Sequence, residues 1–510
     1  MSSPSLIATD LHFAWPDGAP VLDGAELTLG PGLTALVGEN GAGKTTLLEI
    51  LAGQRSPDRG AVTHDGRIAL VRQESAAPAT AATVADALGI ASNRTALARI
   101  EAGSVDPGDF DAVGEDWDLS ARAVAQLDRL GLPTDLDRPL DRLSGGQFRS
   151  LALARALLAE PAVLLLDEPT NDLDDAARTR LQAALAEFGG AVLVVSHDLE
   201  LLDRATHTLE LREGGLRSFG GNYTHYREVL DAEAQLHAEQ TATAAAQVRR
   251  EQRQFDEAQT ALARRRRTAA RAQREKRVPP IAAGLRANKA QVSAGKLERG
   301  QRDSVAAARA DWADLRAADR RSATPTLRLE NPDLGSGTQV VVDPRLPITG
   351  PERVLVAGGN GTGKSRLLAS LTADPAAIVV PYVFVPQMIS FADEDRTVAE
   401  AACAVARDAE PERVHAHLAR FGFVGDRSQR RLSELSGGER LRTGLALALS
   451  ATPNPSLLIL DEPTNNLDLG TVEALVAVLS EWTGALVLVS HDRGFVERVG
   501  VDRTVVLGGR

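Results

Sequence analysis

One series of motifs occurs twice in this chain, and the repetition limits what the chain can fold into more than any other feature does. The first copy opens with Gly38-Glu39-Asn40-Gly41-Ala42-Gly43-Lys44-Thr45 and the second with Gly358-Gly359-Asn360-Gly361-Thr362-Gly363-Lys364-Ser365. Both fit the pattern G-x-x-x-x-G-K-[ST]. Each follows an apolar run, Leu33 to Val37 or Val354 to Ala357, and precedes a leucine pair, Leu47-Leu48 or Leu367-Leu368. That order predicts strand, loop and helix. The glycines let the backbone turn its N–H groups toward a polyphosphate, and the helix N-terminus behind them adds partial positive charge.

The two copies continue in step. Gln73 and Gln387 follow the loops, then come Leu143-Ser144-Gly145-Gly146-Gln147 and Leu435-Ser436-Gly437-Gly438-Glu439. Next, Val163-Leu164-Leu165-Leu166 runs into Asp167-Glu168-Pro169-Thr170-Asn171-Asp172-Leu173-Asp174, and Leu457-Leu458-Ile459-Leu460 into Asp461-Glu462-Pro463-Thr464-Asn465-Asn466-Leu467-Asp468. Ser196-His197-Asp198 and Ser490-His491-Asp492 close the series after β-branched runs of the kind that form buried parallel strands. Between halves the signature serine, the strand-end aspartate and the histidine are offset by 292, 294 and 294 residues, which reads as a duplicated domain. The expected fold is α/β: two tandem P-loop domains joined by a long α-helical hairpin, with boundaries at 1–222, 223–322 and 323–510.

Phosphoryl transfer to water requires neutralised charge, in-line positioning and a polarised water, and these residue types supply each part. Lys44 and Lys364 are placed for the β- and γ-phosphates. Thr45 and Ser365 offer hydroxyls to Mg²⁺, and Asp167 and Asp461, at the ends of buried strands, hold it through its water shell. Glu168 and Glu462 are the candidates to orient the attacking water or accept its proton.

These residues resemble the ATP-binding cassette superfamily, whose mark is the Leu-Ser-Gly-Gly signature. Two cassettes without a membrane domain, Asp-Glu-Pro-Thr-Asn-x-Leu-Asp after each strand and a charged helical linker resemble the ABC-F family, cytosolic ATPases that mostly act on ribosomes. Where that family often has His after Thr-Asn, this chain has Asp172 and Asn466. The resemblance implies ATP and Mg²⁺ as cofactors, with each nucleotide sandwiched between the loop of one cassette and the signature of the other. Site one then combines Gly38, Asn40, Gly41, Gly43, Lys44, Thr45, Thr46, Gln73, Asp167, Glu168 and His197 with Ser436, Gly438 and Glu439. Site two combines Gly358, Asn360, Gly361, Gly363, Lys364, Ser365, Gln387, Asp461, Glu462 and His491 with Ser144, Gly146 and Gln147. In this scheme Gln73 and Gln387 also reach the metal, and His197 and His491 sense the γ-phosphate.

The halves differ. Trp15 stands where the family places an aromatic that stacks on adenine, with core packing as its rival reading. The second half has no aromatic between Trp312 and Tyr382, so its platform is missing or replaced by apolar contacts near Leu329. From loop lysine to signature serine there are 100 residues in the first half and 72 in the second. The surplus, within 92–130, is either an enlarged helical subdomain or a small arm.

Formal charge is −12, but between Arg249 and Arg302 there are 16 Lys and Arg against 5 Asp and Glu. Acidic bodies carrying a basic arm suggest one targeted polyanion contact. Proline and glycine are absent from Tyr226 to Arg277, which favours a helix of roughly 75 Å at ~1.5 Å per residue. Val278-Pro279-Pro280 breaks it and a second helical run follows to about Arg321. Val248, Phe255 and Leu262, then Val305, Ala308, Trp312 and Leu315, give seams for an antiparallel coiled coil. Around the turn lie Arg264, Arg265, Arg266, Arg267, Arg271, Arg274, Lys276, Arg277, Arg286, Lys289 and Lys296, candidates for RNA phosphates. With few aromatics nearby, recognition of structured RNA by shape and backbone is expected.

The single cysteine, Cys403, excludes an intrachain disulfide, and no apolar run approaches the ~18 residues that span a bilayer. The expectation is a cytoplasmic monomer whose cassettes pair intramolecularly and whose linker meets rRNA and tRNA on the ribosome. It regulates translation or protects against antibiotics. The competing classes are an ATPase subunit energising a separate membrane transporter, and a nucleotide-gated scaffold without turnover, against which Glu168 and Glu462 argue.

Overall fold

The computed structural model describes residues 5–16, 18–72, 82–171, 173–274, 299–316, 329–359, 361–406, 410–451, 454–465, 467 and 469–508. The chain divides into two compact units, one of Met1–Tyr226 with Pro325–Arg510, the other of Arg227–Thr324.

Within the first unit, two predominantly parallel sheets share one strand order. In the first half it runs Ile68–Val71, Val163–Asp167, Ala191–Val195, Gly32–Val37, His207–Arg212, with Gly215–Gly220 antiparallel at the edge. In the second half it runs Tyr382–Val385, Leu457–Asp461, Ala485–Val489, Arg353–Ala357, Arg503–Val506, all parallel. The α/β expectation holds in both halves. Every residue of Val163–Asp167, Ala191–Val195, Leu457–Asp461 and Ala485–Val489 is buried. Strands covered on both faces read as continuous apolar runs, which is how these appear in the sequence.

The helices after the phosphate loops, Lys44–Leu51 and Lys364–Ala373, pack by their leucine pairs. Leu47, Leu48 and Leu368 are fully buried, each stabilising the fold by about 1.5–3 kcal/mol relative to an exposed side chain. The carboxyl ends of the parallel strands, where open α/β sheets bind ligands, carry the two loops.

The halves part company beside these sheets. The first has a three-stranded antiparallel sheet, Pro20–Leu29, Leu6–Ala14 and Arg59–His64. A bulge at Asp10, with φ +50°, changes which residues face inward: Leu6 and Ala8 before it, Leu11 and Phe13 after it. One extra residue moves every later side chain to the other face. Gly60 makes the bulge possible, since a Cβ there would lie 2.3 Å from the Asp10 carbonyl oxygen. Among the described residues the second half has only the short pair Gln339–Val341 and Ile348–Thr349 in its place.

The surplus in the first half is an enlarged helical subdomain. Val84–Leu88, Ala91–Glu101, Pro107–Val113 and Leu119–Arg129 precede the signature helix Gly145–Leu158, where the second half has Val398–Val405 and Pro411–Ala419 before Gly437–Ala451. Asn93 fastens the insertion internally by donating to the carbonyls of Val113 and Asp116.

The second unit is helical. One helix runs Tyr223–Arg274 and residues 299–316 form another. The start lies three residues earlier than the sequence suggested. Arg309 donates to the Gln252 side chain at 3.0 Å, and along the second helix Val305 and Ala308 are buried. The predicted turn at Val278-Pro279-Pro280 lies outside the described residues.

Candidate nucleotide sites

Each phosphate loop is built on backbone that only glycine adopts readily. Gly38, Gly41 and Gly43 have φ of +156°, +82° and +100°, and Gly358, Gly361 and Gly363 have +154°, +81° and +93°. At Gly43 a Cβ would lie 2.3 Å from Val21 Cγ1. Lys44 Nζ donates to the carbonyls of Gly38 (2.7 Å) and Glu39 (3.0 Å), and Lys364 Nζ to those of Gly358 (2.7 Å) and Gly359 (3.2 Å). Both ammonium groups thus lie over their own loops.

Site one is a cavity of about 420 Å³ lined by Trp15, the loop from Asn40 to Thr46, Asp167, Glu168, Asn171, His197 and, from the other half, Ser436 and Gly437. The Thr45 hydroxyl donates to Asp167 at 2.7 Å. Burial raises the Asp167 carboxyl above its ordinary pKa against the lowering effect of that bond. His197 Nε2 lies 2.9 Å from Glu168 Oε1. The other Glu168 oxygen, Oε2, is buried with no hydrogen-bond partner among the described residues.

Trp15 is 39% exposed, so core packing does not account for it. Its ring meets Phe13 edge-on at 5.4 Å, and the Arg55 guanidinium lies 4.7 Å from its centroid.

Site two is a cavity of about 500 Å³ lined by the loop from Gly361 to Arg366, Gln387, Asp461, Glu462, Asn465 and His491, with Leu173 and Arg178 from the first half. Here Lys364 Nζ donates to His491 Nε2 at 3.0 Å, and the His491 backbone N–H donates to Glu462 at 3.3 Å. An imidazole that accepts from an ammonium is neutral, and burial, followed by the nearby Lys364 charge, holds His491 below the usual histidine range. Burial pushes Glu462 up to about 7 and also raises Asp461. Asp461 Oδ1 is buried with no partner among the described residues, while Ser365 bonds the carboxyl. A hydroxyl and one carboxylate with a buried oxygen still to be satisfied fit Mg²⁺, which prefers oxygen donors and retains waters and substrate phosphates.

Two features at these sites escaped the sequence. Glu168 and Glu462 both have positive φ, +50° and +48°, and each donates its N–H back to the neighbouring strand, to Val195 or Val489, at 2.8 Å. Bulky residues in that region are strained by roughly 1–3 kcal/mol and cluster at functional sites. Second, Gln147 and Glu439 are held as helix caps. Gln147 Oε1 accepts from the Ser144 N–H while the Gln147 N–H donates to the Ser144 hydroxyl, and Glu439 pairs likewise with Ser436. Arg430 also grips Glu439 at 2.6 Å. The signature is a capping box, and S-x-x-[EQ] was there to be read.

The trans contacts are unequal. Ser436 reaches the first cavity, whereas none of Ser144, Gly146 and Gln147 lines the second. Gly438 and Glu439 do not line the first, where Gly437 stands instead. Leu329 packs against the core around Trp482 and Phe495 and does not line the second cavity. Gln73 and Asn360 lie outside the described residues, as do Lys276, Arg277, Arg286, Lys289, Lys296 and the side chains of Arg265, Arg266 and Arg274. Arg264, Arg267 and Arg271 are exposed along the long helix.

Paired P-loop domains, each with a signature helix and an Asp-Glu strand end, define an ATP-binding cassette ATPase. The ABC transporter family profile matches residues 22–171 and 343–465. The chain is 35% identical to the tylosin resistance ATP-binding protein TlrC of Streptomyces fradiae, over 94% of this chain and 93% of that one. It is 30% identical to ABC transporter F family member 5 of Arabidopsis thaliana, over 92% of this chain and 70% of that one. The archaeal ribosome recycling factor aABCE1, solved in complex with the stalk protein aP1, shares the fold with a TM-score of 0.54 at 19% identity, covering 98% of this chain and 87% of that one. The chain belongs to the ABC-F family of ATP-binding cassette proteins. It is an ATPase. No described helix is long and apolar enough to cross a membrane.

Proposed function

We propose that the chain is an ATP-driven factor acting on the ribosome, and that its activity counters an antibiotic bound there. The observation that carries this reading is the concentration of positive charge on one helix, with Arg264, Arg267 and Arg271 exposed on a chain that is otherwise acidic. Such a stripe fits a phosphate backbone. Resemblance over nearly the whole length to a protein named for tylosin resistance favours protection over general regulation of translation.

In the mechanism, Lys44 and Lys364 leave their own carbonyls for the β- and γ-phosphates. Thr45 with Asp167 at site one, and Ser365 with Asp461 at site two, would hold Mg²⁺, which when bound would supply charge neutralisation to the triphosphate. Glu168 and Glu462 orient the attacking water, and the buried Glu168 Oε2, with no partner among the described residues, supports that role at site one. His197 and His491, which line the two cavities, contact the γ-phosphate. Within one monomer, ATP draws the cassettes together and hydrolysis releases them, and the linker transmits the change to rRNA and tRNA in the cytoplasm.

The Glu168→Gln, Glu462→Gln double variant is expected to bind ATP and hydrolyse it at least about a hundredfold more slowly. It should co-sediment with 70S ribosomes only in the presence of ATP, and charge reversal of Arg264, Arg265, Arg266 and Arg267 to Glu should abolish that. Failure to co-sediment with empty or tRNA-loaded ribosomes would refute the reading, and co-purification with a membrane partner would favour the transporter alternative.

A further inference from the structure

Shifting the first half onto the second by the 294 residues that relate Asp167 to Asp461 pairs Asp175 with Leu469, Arg178 with Val472 and Leu199 with Arg493. All three pairs exchange a charge for an aliphatic group. Asp175, Arg178 and Arg493 all take part in contacts between the halves. Arg493 binds Asp175 at 2.8 Å, and Arg178 Nη1 donates to the His491 carbonyl at 2.8 Å. Val472 is instead buried in its own half's core, 2% exposed.

Arg178 sits on the helix Asp175–Ala186, just past the aspartate-rich turn, and lines the second cavity. Its Nη1 lies 3.8 Å from Asp198 Oδ2, and burial raises the Asp492 carboxyl, with the Asp198 charge adding to that rise and the Arg178 charge opposing it. Asp198 and Asp492 each cap the short helix after a site histidine, through the N–H of Leu201 and Phe495. Arg178 Nε is buried with no partner among the described residues. One guanidinium therefore joins the first half to the turn carrying His491, and that imidazole accepts from Lys364 while its N–H donates to Glu462.

We propose that Arg178 is a positioning residue acting in trans on the second ATP site alone, tethering the His491 turn when the cassettes are paired. Parting the cassettes withdraws the arginine and frees the turn, so turnover at site two is tied to closure by a contact that site one lacks. At the first site the position is Val472, which has no donor to offer the His197 carbonyl, and the signature residues Ser436 and Gly437 make the approach from the other half. The two sites thus detect closure through different chemistry.

The inference rests on the proposed roles of Glu168 and Glu462, and the test separates the two. Steady-state ATP hydrolysis is measured for full-length Arg178→Val, Arg178→Gln and Arg178→Lys, each in a Glu168→Gln background, where site two turns over, and in a Glu462→Gln background, where site one does. In the first background Arg178→Val should lower kcat about ten- to hundredfold, the scale of a misplaced catalytic group, with KM for ATP changed less than about threefold. In the second background the loss should stay within about twofold. Arg178→Lys, which keeps a long cationic donor, and Arg178→Gln, which keeps a shorter uncharged one, should each recover part of kcat. Equal losses in both backgrounds would make Arg178 a general interface residue and overturn the proposal, as would no loss in either. If the Glu168→Gln, Glu462→Gln parent still hydrolyses ATP at the wild-type rate, the glutamate assignment fails instead. Thermal unfolding shows which variants are folded, and the lysine and glutamine variants carry the test if the valine variant is not.

Discussion

Replacing Trp15 by alanine should weaken ATP at one site and leave the other untouched. The indole stands at the mouth of the first cavity, with one edge on Phe13 and the Arg55 guanidinium 4.7 Å from its centroid. The second half has only a short two-stranded pair in the corresponding place among its described residues, and no aromatic between Trp312 and Tyr382. Stacking of a base on an aromatic ring contributes about 1–3 kcal/mol. With a tenfold change for each ~1.4 kcal/mol, Trp15→Ala should weaken site one by roughly five- to 150-fold. Because the side chain is over a third exposed, truncation should disturb the fold far less than loss of a buried aromatic. Titration of a fluorescent ATP analogue into the Glu168→Gln, Glu462→Gln protein should give two affinities, and Trp15→Ala should lower only the tighter. Trp15→Phe should restore most of the difference. Two unchanged affinities, or equal weakening of both, would refute the assignment of Trp15 as a platform.

Gly43→Ala forces a side chain into Val21 at φ +100°, so it should cost about 1–3 kcal/mol and abolish nucleotide binding at site one, as read by thermal unfolding and analogue titration. Ser144→Ala removes the hydroxyl that accepts from the Gln147 N–H and should destabilise the first cassette by about 0.5–2 kcal/mol in denaturant unfolding, whereas Ser144→Asn should cost less. Chelation of Mg²⁺ should reduce hydrolysis to background while ATP remains bound more weakly, because Thr45 and Asp167 at site one, and Ser365 and Asp461 at site two, would then have no cation to hold; full turnover in excess chelator would contradict this. Asp492→Asn keeps the cap on Phe495 and removes one of two buried carboxylates, so it should change the melting temperature less than Asp492→Ala does.

What the sequence made legible was set by short backbone patterns. Gly38 to Thr45 and Gly358 to Ser365 are loops whose glycines can be read directly, because positive φ and close approach leave few other choices. The buried strands ending at Asp167 and Asp461 were legible for the same reason, since being covered on both faces demands unbroken apolar runs. Contacts between distant segments left weaker traces. Nothing local at Asp10 announces a bulge, yet it decides the face on which Leu11 and Phe13 lie. The signature residues were assigned symmetrically by resemblance, while only Ser436 and Gly437 line a cavity opposite a loop. The signal for Arg178 was present as a difference between two copies, and a search for matching motifs attends to what the copies share.

The left-handed glutamates bear on how the chain has been selected. Glycine or asparagine would occupy φ near +50° with less strain, so at Glu168 and Glu462 alike the more stable residue is one that does no chemistry. A site kept only to clamp nucleotide would gain stability by drifting toward such residues, with no turnover to lose. Both halves instead keep a carboxylate in an unfavourable conformation. Two strained positions that both hold a carboxylate are what two hydrolysing cassettes would require, despite their unequal platforms and trans contacts.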